Sequence, residues 1–331
     1  MVAEHRYQTM MIALIGCILV NLVAAQQVLW PRPPDTTRIV LERVLAEPPA
    51  INADRNWWQR LTNLIRPPVR SEFARPMGVD ARDGYLAVAD PGAGGVFLIN
   101  LQAGTTVFLE PAAGVSHLFA PLDVCLSEDR IFVTSSLAQN PFVFDYGGDY
   151  RGRLDLSADA QRLTGIAGSG SGLYLVDTPG HQVLRRQANG VVKRLISGRG
   201  QAAGSLNYPT FVTVGADGSI YISDTMNFRV QNFSPAGTWL ATIGAAGVSG
   251  GQLNRPKGVA VDGARRLYVV DNSFDNVQIF AADGSFLMHF GATGSGQGQF
   301  YMPTDIAIDG DLIYVSDTMN NRIQVFRKLY E

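Results

Sequence analysis

The sequence predicts an all-β fold: a six-bladed β-propeller of four-stranded antiparallel blades, closed by an N-terminal strand that completes the last blade. Three observations predict it. A short apolar strand ending in a carboxylate recurs along the chain. A proline or Thr-Gly marker opens another apolar strand in phase with it, and Asp-Gly turns such as Asp217-Gly218 and Asp283-Gly284 join the pieces as hairpins. The first marker reads Leu86-Ala-Val-Ala-Asp90, Tyr174-Leu-Val-Asp177, Tyr221-Ile-Ser-Asp224, Tyr268-Val-Val-Asp271 and Tyr314-Val-Ser-Asp317, with Ser135 in the same slot after Ile131-Phe-Val-Thr. The steps are 45, 42, 47, 47 and 46 residues, the period of a propeller blade.

Composition agrees with a large buried core. Of 331 residues, 46% are hydrophobic and 17% charged, which excludes a disordered chain. A net charge of −2 gives no general attraction for nucleic acid. Two cysteines, Cys17 and Cys125, cannot build a disulfide scaffold, a zinc knuckle or an iron–sulfur cluster. Twenty-four of the 27 basic residues are arginines, a composition that suits interface contacts and also follows from base composition alone.

From the N-terminus, residues 1–25 read as an export signal: Met10 to Ala25 is apolar but for Asn21, and too short for a permanent anchor. Two processing routes stay open. Val23-Ala24-Ala25 offers ordinary cleavage, and Leu14-Ile15-Gly16-Cys17 offers a lipobox in which Cys17 is acylated. Residues 26–72 form a proline-rich leader with the β-rich closing segment 38–45 and a short amphipathic helix over 54–65, capped by Asp54 and ended by Pro67. The propeller fills residues 73–331. Pro76, Pro121, Pro209, Pro256 and Pro303 open the inner strands, with Thr164-Gly-Ile-Ala as the proline-free copy. In the fifth unit the strands are expected at 258–261, 266–270, 276–280 and 285–290. The last unit ends after three strands, so 38–45 is needed to cover its edge.

The loops Asp224-Thr-Met-Asn-Phe-Arg229 and Asp317-Thr-Met-Asn-Asn-Arg322, with the glycine-rich stretch 291–300 leading to Pro303, resemble the NHL-repeat family of β-propellers. The first three units are degenerate, with Gly95 and Gln182 where the arginine is expected. The arrangement is similar to exported bacterial NHL-repeat proteins, lipoproteins among them. In physical terms, each recurring carboxylate can accept backbone N–H bonds from its loop, and Arg229 and Arg322 can tie that loop to a neighbouring blade through a bidentate contact. Asp224, Arg229, Asp317 and Arg322 are thus expected to be structural.

Candidate functional residues come from the segments leading into the innermost strands and the loops after the second strands, which share one face. They are His117, Asp123, His181, Lys257 and Asp305. Asp123 and Asp305 stand where other units carry Gly78, Gly165 or Gly258, so the fold does not demand them. Two imidazoles and a carboxylate, His117, Asp123 and His181, form a plausible set for zinc or calcium, and the resemblance extends to NHL-type lyases that use such histidines. The Gly168-Ser-Gly-Ser-Gly172 stretch fits a nucleophile-elbow pattern but lies in a strand turn. The expected role is an exported cell-envelope binding scaffold, periplasmic or tethered to the outer membrane of a bacterium through Cys17. One face would meet an envelope protein, peptide or glycan, with no catalytic residue, cofactor or nucleic acid. The alternative is a metal-assisted lyase or hydrolase at the channel mouth.

Overall fold

The computed structural model describes residues 28–31, 35–36, 38–49, 72–156, 160–170 and 172–329. Cys17, the export signal and the expected 54–65 helix lie outside the described residues.

Six antiparallel sheets form the ring. Their innermost strands are Val79–Arg82, Pro121–Leu126, Leu163–Ser169, Val212–Val214, Pro256–Val261 and Ile306–Asp309. Each of the first five blades adds three further strands outward in chain order. In blade 5 these are Leu267–Asp271, Asn276–Phe280 and Phe286–Phe290, within two residues of the expected bounds at each end.

Blade 6 takes only three strands from the C-terminal end of the chain. Its fourth is Ile39–Leu45, paired antiparallel with Arg322–Lys328 in the register Ile39↔Lys328 to Leu45↔Ile323. The sheet also gains a fifth strand, Leu29–Trp30, paired on Ile39–Leu45. Trp30 packs its indole on Phe290 and Phe326, at 5.9 and 5.7 Å between ring centres. The blade edge that would otherwise face water is thereby covered by chain from the N-terminal side.

Strand alternation sends every second residue to the preceding or the following blade. Among the described residues the buried side chains fall into six clusters, and each spans two adjacent blades. The cluster between blades 6 and 1 joins Ala307, Tyr314 and Val325 to Val79, Val88 and Phe97. The ring is therefore closed by burial as well as by strand pairing.

Inner strands approach each other closely. An added Cβ at Gly78 would lie 2.4 Å from the Asp123 Cα, and one at Gly258 would lie 2.4 Å from the Asp305 Cα. Glycine at these positions lets the backbone of the next blade come into contact.

Candidate functional site

The terminal carboxylate of each second strand organises one face of the ring. Asp90 accepts from the Ala74 and Arg75 N–H groups at 2.8 and 2.9 Å, and Asp271 from Asn254 and Arg255 at 2.7 and 3.1 Å. Asp224 and Asp317 do the same for Asn207 and Tyr301. These donors belong mainly to the segment that leads into the blade, rather than only to the loop that follows the carboxylate. In blades 4 and 6 an arginine joins them. Arg229 Nε donates to Asp224 at 2.8 Å, and Arg322 Nε to Asp317 at 2.6 Å. The expected bidentate contact does not form: the remaining guanidinium N–H groups go to carbonyls, of Ala202 and Ser205 for Arg229 and of Ser295, Gly296 and Gln299 for Arg322. The arginine thus pins a glycine-rich loop to a buried charge.

A second device laces neighbouring blades. His181, Asp275 and Asn321 occupy equivalent left-handed positions, with φ of 51°, 51° and 53°. His181 Nδ1 accepts the Tyr208 N–H at 3.0 Å, and Asp275 accepts the Met302 N–H at 2.7 Å. The amide of Asn321 donates to the Ala74 carbonyl at 2.7 Å. His181 is 7% exposed and lies edge-on to Tyr208, 4.5 Å between ring centres. Burial, then the charge of Arg199, lowers its pKa and keeps the ring neutral, as an Nδ1 acceptor requires.

The structure does not bring the three proposed metal ligands together. His117 sits exposed on the short turn Ser116–Leu118, His181 is engaged in its inter-blade bond, and Asp123 is buried in the channel wall. Among the described residues, no three His, Cys, Asp or Glu side chains converge as metal ligands.

Asp123 and Asp305 meet across the channel instead. Innermost strands present unpaired N–H groups there, and these carboxyls cap them. Asp123 accepts from Val124 and from Ile166 of blade 3, each at 2.8 Å. Asp305 accepts from Val79 of blade 1 at 2.9 Å. Asp80 repeats the pattern one layer down, accepting from Leu126 of blade 2 at 2.7 Å. Burial, then the charge of Asp80, raises the pKa of Asp123 to about 8; burial, then the charge of Asp123, raises that of Asp305; and burial pushes Asp80 to about 7. The channel encloses about 340 Å³, and the lone Cys125 is buried in its wall.

Lys257 stands at the channel mouth. Equivalent positions carry Thr164, Thr210 and Thr304, whose hydroxyls each bond a second threonine at 2.7 Å. Those partners reach the opening proline of the next blade, as Thr225 does to the Pro256 carbonyl at 2.8 Å. In blade 5 Asn272 takes that contact alone, and the lysine is left over. Burial, then Arg255, lowers its pKa to about 8. Around it lies a feature that sequence reading missed. Tyr208, Tyr301, Met302, Met226 and Met319 are exposed on the same face of blades 4 to 6. Met226 and Met319 belong to the repeated Asp-Thr-Met-Asn loops, so the repeat itself carried the signal.

Two family profiles match the chain. One, described as a 6-bladed beta-propeller, matches residues 252–328, and an NHL-repeat profile matches residues 206–233. The chain is a six-bladed β-propeller whose fourth blade carries an NHL repeat. No curated protein matches its sequence. Among solved structures it is similar to a protein of unknown function from Bacteroides thetaiotaomicron, at 17% identity and a TM-score of 0.63, covering 78% of this chain and 70% of the other. An auxiliary nutrient binding protein from the same organism is 14% identical with a TM-score of 0.61, over 77% and 69% of the two chains. Virginiamycin B lyase from Staphylococcus aureus is 17% identical with a TM-score of 0.55, over 78% and 86%. At these identities the likeness is one of fold.

Against the NHL pattern, the propeller departs most in blades 1 to 3. Gly95, Ser135 and Gln182 replace elements of the Asp–Arg unit, and blade 5 carries Asn276 for the arginine. At Gly95 the ring of Phe108 fills the space, where an added Cβ would lie 2.1 Å away.

Proposed function

We propose that this propeller is an exported cell-envelope scaffold that binds a protein or peptide on the channel-mouth face of blades 4 to 6. The exposed aromatic and methionine side chains there carry the reading. Met226 is 52% exposed, Met319 48% and Tyr301 48%, on loops held by buried Asp–Arg pairs. Methionine and tyrosine adapt to apolar partners and are enriched in protein interfaces, so an exposed group on a rigid frame suits recognition. Lys257 and Arg255 beside them add positive charge at the mouth. A solved propeller of similar fold, described as an auxiliary nutrient binding protein, agrees with a binding role. The metal-assisted alternative lacks support, because its three proposed ligands stand apart.

Photo-crosslinking residues at Met226 and Met319 test the proposal in the native envelope, with Asp283 on the opposite face as control. The same adduct from both methionine positions and none from Asp283 supports it. Adducts from Asp283 alone, or from no position, overturn it.

A further inference from the structure

Blade 3 lacks the arginine that fills its slot in blades 4 and 6. Arg229 and Arg322 are each 12% exposed, wedged between carboxylate and loop carbonyls, so their slots are closed. Gln182 takes the place in blade 3, its amide donating to Asp177 at 2.8 Å. The glycine-rich loops at three other junctions fold back through the bridges Arg199↔Leu206, Ala246↔Leu253 and Thr293↔Phe300. No such bridge forms among the described residues of 154–162, which lead into blade 3. A pocket of about 640 Å³ opens there, within the roughly 300–1,000 Å³ of small-molecule sites.

The walls define what fits. Gln139, Gln161, Gln182, Arg194, Ser197 and Arg199 line the pocket, and the remaining lining is Ala160 and two glycines. Among the described residues no carboxylate lines that wall, and most of its surface is polar. Arg199 is held over the Tyr208 ring at 5.8 Å, which pre-positions its guanidinium. Its charge contributes to the lowered pKa of His181, so the positive field reaches the adjoining loop. A cationic guest would be repelled by two guanidinium groups. An apolar one would bury the amides, the hydroxyl and the guanidinium groups without partners. What remains is an anion surrounded by hydroxyl groups.

We propose that this vacated arginine slot binds a sugar acid, its carboxylate on Arg194 and Arg199 and its hydroxyls on the glutamine amides and Ser197. The pocket adjoins the rim through the Arg199–Tyr208 contact and is lined by none of the methionines, so Arg194→Ala tests it without altering the rim.

Calorimetric titration of the full chain with galacturonate, glucuronate, mannuronate, galactose and inorganic phosphate tests it. At least one uronate should bind saturably, ten-fold or more tighter than galactose and phosphate. Arg194→Ala and Arg199→Ala, both at exposed positions, should each weaken that binding ten-fold or more. Gln182→Arg, which restores the guanidinium of blades 4 and 6, should abolish binding while cooperative melting persists. The proposal is overturned if no uronate binds, if galactose binds equally, or if phosphate binds as tightly, which marks a bare anion site. Arginine variants with unchanged affinity overturn it too; they remain informative should Gln182→Arg misfold.

Discussion

Blades 4 to 6 and blades 1 to 3 share one architecture but hold it together differently. In the C-terminal half, buried carboxylates, two arginines and the repeated glutamines Gln231, Gln278 and Gln324 pin three glycine-rich loops with nearly the same bonds. In the N-terminal half the arginines are gone, Ser135 replaces one carboxylate, and Asp80 and Asp123 cap strand edges in the channel. The repeat fixes the ring, and the departures add a polar pocket beside Gln182 and, together with Asp305 of blade 6, buried carboxyls with raised pKa values in the channel.

The largest effect separates both halves from their common closure. Deleting residues 39–45 removes the strand paired with Arg322–Lys328 and uncovers the core of blade 6, including Phe326. Cooperative thermal unfolding should disappear rather than shift.

Next comes a direct contrast between the halves. Asp317→Ala strips acceptors from Tyr301 N–H, Asn320, Arg322 and Gln324, and leaves a largely buried guanidinium without its partner. That should cost about 3–5 kcal/mol in denaturant unfolding. Asp177→Ala in blade 3 leaves only neutral donors unpaired and should cost about 1–3 kcal/mol. Equal costs would remove the distinction drawn here.

Smaller still is the effect of close packing between inner strands. Gly258→Ala drives a Cβ into the backbone of Asp305 and should cost about 1–3 kcal/mol. Gly263→Ala meets open space and should stay within about 0.5 kcal/mol. Chemical denaturation of the two variants measures the difference.

The smallest effect is a pH slope confined to the channel. Asp80, Asp123 and Asp305 have raised pKa values when folded, so their protonated forms favour the native state. That contribution is complete below the unfolded aspartate pKa of about 3.9 and is lost as pH rises through the folded values, about 7 for Asp80. His181, whose pKa is lowered, acts only below about 6.5, and Lys257, lowered to about 8, acts mainly above that value with the opposite sign, so the range between them isolates the carboxyls. Melting temperature should fall as pH rises from about 6.5 to about 8. Asp305→Asn should flatten the slope, and a rise with pH over that range would contradict the raised carboxyl values.

Much of this fold was legible because the repeat marks it. The Asp-ended strands and the prolines give blade number and register, and the missing last strand points to residues 38–45. Leu29–Trp30 was not legible, since two residues before a proline-rich run carry no periodicity. Asp123 and Asp305 stood out as departures from glycine, but their meeting follows from ring closure between blades distant in sequence. Phe211 holds the same position in blade 4 and simply joins the core between blades 4 and 5, so departure alone does not mark a site. His181 looked like a ligand because imidazoles ligate, while its bond to Tyr208 depends on a left-handed backbone that one histidine does not announce. Gln182 was visible as a missing arginine; the space it leaves depends on the path of a different loop.

Segment-resolved hydrogen exchange on the intact chain tests ring closure most directly. Peptides covering Ile39–Leu45 should exchange as slowly as those covering Arg322–Lys328, because the two strands share one ladder. Exchange of 39–45 at the rate of a free peptide, with 322–328 still protected, would contradict a propeller sealed from its N-terminal side.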